Sequence, residues 1–85
     1  MAQGEQTIAL LYFARIAELT GRRSETWPLA QPCSGQALIE QLQARYPDLA
    51  QAGRLKLAIN QYHSKPEAIV QPGDEVAVFE PVTGG

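Results

Sequence analysis

The chain has 85 residues and a mass of 9.3 kDa. Of its residues, 45% are hydrophobic, seven are Lys or Arg and nine are Asp or Glu. This length predicts one domain, because half of the chain could not build a second core. The formal net charge of -2 provides no positive field toward phosphate backbones or anionic lipid, so no nucleic-acid partner is expected. No apolar run approaches the roughly 20 residues of a membrane span, and the N terminus lacks signal-peptide features. A cytoplasmic protein without a membrane partner is therefore expected.

The first third of the chain predicts two strands and a short helix. Residues 7–13 are apolar and end in aromatics, which is typical of a strand, and both faces of this strand are apolar. One face should pack on the core, and the other should meet a loop or a partner. Residues 14–20 predict a short helix, with Gly21 as a left-handed cap. Residues 24–29 predict a second strand, which Pro28 restricts to an edge or a strand end.

One convincing amphipathic helix is predicted over residues 35–46. Ser34 is a suitable N-cap at the end of the connector 31–34, and Pro47 stops the helix because a residue before proline is pushed out of the helical region. The apolar side chains of the helix recur at helical spacing and should face the core. They are Leu38, Ile39, Leu42 and Tyr46.

The last third of the chain predicts strands joined by tight turns. Residues 55–60 alternate strictly, as a half-buried strand does, with Leu55, Leu57 and Ile59 on the buried side. Asn60-Gln61 predicts a turn, and residues 62–70 predict a loop or short strand. Pro72-Gly73 suits a type II turn. The final strand, residues 75–79, should carry Val76 and Val78 on one face, and Ala77 and Phe79 on the other.

The order of these elements predicts an α+β fold in which a small mixed sheet packs on one main helix. The first and last strands should be central and adjacent. This is the β-grasp, or ubiquitin-like, arrangement, here expected as a single domain over residues 1–85 with a flexible C-terminal tail at residues 81–85.

Side-chain chemistry is sparse. Cys33 is the only cysteine, which excludes an internal disulfide and a cysteine cluster for a structural metal. Cys33 and His63 are predicted on separate segments, which favours a half-buried thiol and an exposed imidazole over a catalytic dyad. No phosphate-binding glycine loop or metal-ligand spacing is present. Arg22 and Arg23 are predicted to be solvent-exposed surface charges rather than an anion-binding site. We therefore expect no cofactor on the chain and no enzyme in its own right.

The carboxyl end, Gly84-Gly85, is the reactive group that remains. Two glycines carry no Cβ and accept almost any backbone dihedral, so this end can enter a narrow active site and offer its carboxylate. The alternative is an ordinary small chain end of the kind that many proteins have.

Several stretches of the chain resemble the small subunit of molybdopterin synthase, a ubiquitin-like sulfur carrier, between Ile8 and Gly85. They are Leu11-Tyr12-Phe13-Ala14-Arg15 with Glu18-Leu19-Thr20-Gly21, the pair Asn60-Gln61, and Gly73-Asp74-Glu75-Val76-Ala77-Val78-Phe79 running into Pro81-Val82-Thr83-Gly84-Gly85. The resemblance implies that a ubiquitin-activating-like partner uses ATP to adenylate Gly85 and that sulfur then displaces AMP to leave a thiocarboxylate. The tail would enter the large subunit and donate sulfur to cyclic pyranopterin monophosphate in molybdenum cofactor biosynthesis.

The resemblance also implies partners and contact residues. The catalytic side chains would belong to the large subunit, in a heterotetramer of two small and two large subunits. On this chain the predicted interface residues are Phe13, Phe79, Pro81, Val82 and Thr83, with Arg15 a weaker candidate at the patch edge. An alternative is that the two phenylalanines are ordinary core residues under a loop. Two positions depart from the family pattern: Glu80 replaces the first of two prolines, and His63 stands where an apolar contact residue is usual.

Three other functions stay open at this point. The chain could carry sulfur for thiamine thiazole synthesis or for tRNA thiolation, since the Gly-Gly chemistry is the same. It could be a ubiquitin-like modifier whose Gly-Gly joins target lysines. It could also be a passive β-grasp scaffold with a fortuitous tail.

Overall fold

A computed structural model describes residues 6–81 of the chain. In chain order its elements are β1 (Thr7–Tyr12), α1 (Ala14–Thr20), β2 (Ser24–Pro28), β3 (Cys33–Ser34), α2 (Gly35–Arg45), a 3₁₀ helix (Pro47–Ala52), β4 (Lys56–Ile59), β5 (Tyr62–Ser64), β6 (Ile69–Val70) and β7 (Glu75–Phe79). Within residues 6–81, neither α-helix is long and apolar enough to cross a membrane.

Five of these strands form one mixed sheet in the order β2-β1-β7-β4-β5. The central strands β1 and β7 are parallel, with Leu10 beside Val76 and Tyr12 beside Val78. The other pairs in this sheet are antiparallel. Two parallel neighbouring strands must be joined by a long crossover connection. Here that connection is the whole chain between β1 and β7, and it contains both α-helices. The predicted mixed sheet, with its first and last strands central and adjacent, is confirmed.

The hydrophobic core lies between α2 and one face of this sheet. Val76 and Val78 are fully buried, as predicted for that face of the last strand. Burial of an aliphatic side chain of this size contributes about 1.5–3 kcal/mol, so these two residues hold the end of the chain firmly in the body of the protein. The same cluster includes Ile8, Leu10, Leu38, Ile39, Leu42 and Leu57.

Both predicted helix caps are confirmed. Gly21 has a φ of 79° and its N–H donates to the carbonyl of Ala17 at 2.9 Å, which ends α1 in the left-handed conformation that glycine adopts without a Cβ penalty. The hydroxyl of Ser34 accepts a hydrogen bond from the N–H of Ala37 at 3.0 Å at the start of α2. The sequence therefore encodes the start of the main helix through a single side chain.

The predicted turn at Asn60-Gln61 closes the β4–β5 hairpin. Both residues have positive φ, 51° and 76°, as a two-residue type I′ turn requires. The Asn60 side chain also reaches β7, donating to Asp74 Oδ1 at 3.0 Å and accepting from the Glu75 N–H at 2.9 Å. The hairpin is thereby attached to the start of the last strand.

Some boundaries differ from those predicted from the sequence. The prediction of a connector over residues 31–34 is wrong for its last two residues, because Cys33–Ser34 pair with Ile69–Val70 and form a small second sheet. A two-residue strand is too short to show a hydrophobic alternation, so the sequence gave no signal for it. The main helix ends at Arg45, and Tyr46, with φ −126° and ψ 82°, already has the extended backbone that Pro47 imposes.

Candidate functional site

The face of the large sheet opposite α2 carries a row of small and apolar side chains, which we call the open face. Strand pairing places Leu11 beside Ala77 and Ala77 beside Ala58, and His63 lies beside Ala58 on the edge strand. The centre of the open face is made of Ala9, Leu11, Ala58, His63, Ala77 and Phe79. Strand pairing also places polar side chains on this face, namely Ser24, Thr26, Lys56 and Glu75. The open face is the second apolar face that the composition of the first strand predicts.

Two phenylalanines lie together at one end of the open face. Phe13 is still extended, with φ −115° and ψ 148°, so it continues the row of Leu11, and its side chain is 50% exposed. The register that pairs Tyr12 with Val78, continued by one residue, puts Phe13 beside Phe79, and the Phe13 N–H donates to the Val78 carbonyl at 3.3 Å. Phe79 is half-buried, and its ring centroid lies 5.2 Å from that of His63. The exposure of Phe13 is inconsistent with a core residue under a loop, whereas its predicted partner contact stays a prediction.

The base of the tail lies directly beside this aromatic pair. Glu80 and Pro81 follow Phe79 and are half-buried. Arg15 Nη1 lies 3.6 Å from Glu80 Oε2, so the Glu80 carboxylate has an ionic partner in the first turn of α1. The predicted site residues Val82, Thr83, Gly84 and Gly85 lie outside the residues that the structure describes.

A groove continues the open face along α1. Leu11, Phe13 and Ala17 line it together with Arg22 and Arg23. Arg22 Nη1 also donates to Glu25 Oε1 at 3.3 Å, so this guanidinium already has a carboxylate partner within the chain. The groove widens the surface that a partner docking on Phe13 would cover.

Sequence reasoning missed a hydrogen-bonded cluster immediately behind Phe13. The hydroxyls of Tyr12 and Tyr46 both donate to Glu25 Oε2, the latter at 2.6 Å. Burial, followed by the hydrogen bond to Glu25, raises the pKa of each tyrosine. The cluster joins β1, β2 and the end of α2, and so fixes the end of the strand that presents Phe13. The sequence did contain one signal for this cluster. Glu25 lies two residues before the buried Trp27, and residues two apart in a strand point to the same face, so Glu25 also faces inward.

This cluster predicts a difference in alkaline stability between the wild type and Tyr12→Phe. A raised folded-state pKa means that the stabilisation is complete below the unfolded value of about 10 and is lost as pH rises above it. For buried Tyr12 the loss is at most about 1.4 kcal/mol per pH unit. Urea unfolding of both proteins at pH 8 and pH 11 measures it. The wild type should lose its advantage at the higher pH, and an unchanged difference between the two proteins would contradict the assignment.

Cys33 and His63, the only cysteine and histidine of the chain, are not brought together. Cys33 lies in the small β3–β6 sheet, and His63 lies on the open face of the large sheet. Burial raises the pKa of the Cys33 thiol, which is the opposite of what a reactive thiolate needs. Among residues 6–81, no three His, Cys, Asp or Glu side chains are grouped so as to hold a metal ion.

Taken together, the parallel central strands, the open apolar face and the last strand ending beside an aromatic pair define a ubiquitin-like β-grasp protein. A sequence model described as "ThiS family" matches residues 10–85, and the chain belongs to this family. The human molybdopterin synthase sulfur carrier subunit is 37% identical in an alignment of 82 positions, which covers 92% of this chain and 93% of the human protein. The family resemblance inferred from the sequence is confirmed.

Solved structures give the same fold. A Pyrococcus furiosus protein, provisionally described as molybdopterin converting factor, subunit 1, superposes with a TM-score of 0.77 at 25% identity, covering 89% of this chain and 98% of that one. Small archaeal modifier protein 1 of Haloferax volcanii also has a TM-score of 0.77, at 20% identity, with coverage of 89% and 98%. At that identity the second likeness establishes the fold alone, and the predicted β-grasp is confirmed.

Proposed function

We propose that this chain is the sulfur carrier subunit of a molybdopterin synthase. In this proposal Gly85 is converted to a thiocarboxylate and donates its sulfur to cyclic pyranopterin monophosphate during molybdenum cofactor biosynthesis. The observation that carries the proposal is the placement of the last strand. Val76 and Val78 fix it in the core, and it ends beside the aromatic pair Phe13 and Phe79, only six residues before the terminal Gly85. The relative of nearly equal length with that name supports the same assignment.

The chemistry requires activation, because a carboxylate is a poor electrophile at neutral pH. We propose that a ubiquitin-activating-like partner provides this activation with ATP: the Gly85 carboxylate attacks the α-phosphorus and pyrophosphate leaves. A sulfur nucleophile at the sulfide oxidation level then attacks the acyl carbon, and AMP leaves. We propose that the reaction takes place in the cytoplasm, where ATP is available to the activating partner. The chain itself needs no cofactor in this scheme, because its role is to present a nucleophilic sulfur.

Partner recognition is assigned to the open face and the tail base. The activating partner and the large subunit must each receive the same terminus, so each must dock on surface close to the end of β7. Phe13 and Phe79 lie there, and a partly exposed aromatic pair is the kind of anchor that dominates binding energy in interfaces. Pro81, Val82 and Thr83 are the proposed contacts of the tail. We propose an assembly of two small and two large subunits.

The test is the mass of the intact chain after co-expression with the cognate adenylating enzyme and its sulfur donor. Replacement of one oxygen by sulfur at Gly85 adds about 16 Da to the protein. Fragmentation should locate this gain in the C-terminal peptide. Adding the purified large subunit and cyclic pyranopterin monophosphate should return the mass to that of the carboxylate. No gain in mass under loading conditions that sulfurate an authentic carrier would contradict the proposal.

A second candidate is a sulfur carrier for another pathway, thiamine thiazole synthesis or tRNA thiolation. The same Gly84-Gly85 terminus would serve this candidate, because the loading chemistry does not depend on the final sulfur acceptor. Both candidates predict the same gain of mass, so the discriminating observations are the copurifying partner and the phenotype of a strain that lacks the gene. Loss of molybdoenzyme activity supports the first candidate, and thiamine auxotrophy alone supports the second. Isopeptide-linked adducts on lysines of other proteins would instead indicate a modifier.

A further inference from the structure

We propose that Arg15 and Glu80 act as a positioning pair that sets the direction in which the carboxyl tail leaves the sheet. This inference rests on the proposed function, since it assigns the pair a role in sulfur loading. Arg15 Nη1 lies 3.6 Å from Glu80 Oε2, and the two side chains are 48% and 30% exposed. The contact joins the first turn of α1 to the residue immediately after β7. It is a contact between positions 65 residues apart in the chain.

Glu80 is the last point at which the body of the protein can direct the tail. The final ladder pairing of β7 is Phe79 with Lys56, and Pro81 has no N–H with which to extend a ladder. Pro81 fixes its own φ near −65° and restricts Glu80 to extended conformations. With those torsions limited, an ionic contact from the Glu80 side chain removes much of the freedom that remains at the tail base.

Arg15 is held on a rigid support. Phe13 bends into α1 through Ala14, whose φ of 49° is unusual for a residue with a Cβ. The next residue after Arg15, Ile16, is fully buried, and its N–H donates to the Phe13 carbonyl at 2.9 Å. The bend therefore presents Arg15 beside the end of β7 while the helix is anchored in the core.

The position of Arg15 is not explained by the helix itself. A cation in the first turn of a helix lies near the partial positive charge of the N terminus, which disfavours it. The α1 helix has no acidic residue in its first turn to offset this. The carboxylate of Glu80 supplies this negative charge from another element. The ion pair therefore explains why a cation lies at position 15 and a carboxylate at position 80.

A directed tail base matters because several residues separate it from the reacting carbon of Gly85. Gly85 lies five residues beyond Glu80, and five residues span at most about 18 Å. A small change in direction at Glu80 therefore moves the terminus over a large volume. Restricting that volume raises the effective concentration of the carboxylate at a partner's active site once the open face has docked.

The experiment compares the single variants Arg15→Gln and Glu80→Gln with the double charge swap Arg15→Glu plus Glu80→Arg. Glu67→Gln is the matched control, because it removes one exposed acidic charge from the loop before β6. Initial rates of thiocarboxylate formation are measured against carrier concentration with the adenylating partner. The energy of an exposed ion pair corresponds to a change of about 1.4- to fivefold in an equilibrium constant. We expect an increase in KM within this range for each single variant, little change in kcat, and recovery in the charge swap.

The salt dependence of KM is a second measurement, and a purely structural role of the two residues would not change it. Raising NaCl from about 50 mM to about 500 mM shortens the screening length severalfold, so the difference between the wild type and Glu80→Gln should disappear. Single variants that match Glu67→Gln in KM, or a charge swap no better than the singles, would overturn the proposal. If the wild-type chain is not loaded with sulfur at all, the failure belongs to the proposed function.

A measurement without any partner keeps the two failures separate. The heteronuclear ¹⁵N–¹H NOE of the Val82 and Thr83 amides reports picosecond-to-nanosecond motion of the segment that follows Pro81. We expect lower values in both single variants than in wild type, and recovery in the charge swap. Values equal to those of Glu67→Gln would overturn the positioning role whatever the chain proves to carry.

Discussion

Removal of Gly85 is expected to abolish sulfur loading and transfer while partner docking persists. The truncation leaves a carboxylate on Gly84, displaced from its position in the full-length chain by the reach of one residue, about 3.5 Å. Misplacement of a reacting atom by even about 1 Å can cost a factor of about 100, so we expect a loss of at least that size. Intact mass after incubation with the adenylating enzyme, ATP and sulfur donor measures loading, and the full-length chain provides the reference rate.

Two controls separate lost chemistry from lost structure. A chain with one extra glycine after Gly85 moves the carboxylate by the same distance in the other direction, and it should be equally inactive. Both variants should unfold at the temperature of the wild type, because the last strand ends at Phe79 and its anchors Val76 and Val78 are untouched. A truncated chain that still gains about 16 Da at a comparable rate would show that Gly85 is not the acceptor.

Phe13→Ala is expected to weaken binding to both partners by about 2 kcal/mol, or about 30-fold in Kd, because it removes half of the aromatic anchor. The side chain is 50% exposed in the free chain, so its loss should cost the fold little. Phe79→Ala should weaken binding similarly, but it also removes the ring packed against His63 and so should lower the free energy of unfolding. Isothermal titration with the purified large subunit and with the adenylating partner gives the affinities.

Ile69→Ala is the matched control for this prediction. Ile69 is 53% exposed, close to the exposure of Phe13, but it lies on β6 in the small second sheet, away from the open face. Its substitution should leave both affinities within about twofold, as truncations outside a hot spot do. If Phe13→Ala binds as tightly as Ile69→Ala, the open face is not the docking surface, and the placement of the partners must be reconsidered.

Much of the local structure could be predicted because its causes are local. Ser34 caps the main helix with its own hydroxyl, Gly21 adopts the left-handed conformation that ends α1, and Asn60-Gln61 form the turn that closes the hairpin. The alternation in the last strand correctly separates buried Val76 and Val78 from Phe79. Each of these features depends on neighbours a few residues away, so periodicity and turn chemistry are sufficient to indicate it.

Contacts between distant parts of the chain could not be predicted in the same way. Glu25 accepts from Tyr12 and Tyr46, which come from different elements, and neither pair has a sequence spacing that signals a contact. The β3–β6 pairing joins two-residue strands that are too short to show a period. Such features arise only when packing fixes the register, and for that reason sequence reasoning missed them.

The amino-acid sequence by itself indicated the main helices, the principal strands and the buried face of the last strand, and it predicted a Gly-Gly terminus as the reactive end. The tertiary structure decided what surrounds the base of that terminus. The parallel register of β1 and β7 puts Phe13 beside Phe79, and the bend at Ala14 brings Arg15 to Glu80. The physical reason is that these pairs are set by the packing of the sheet against α2, which no local pattern in the chain encodes.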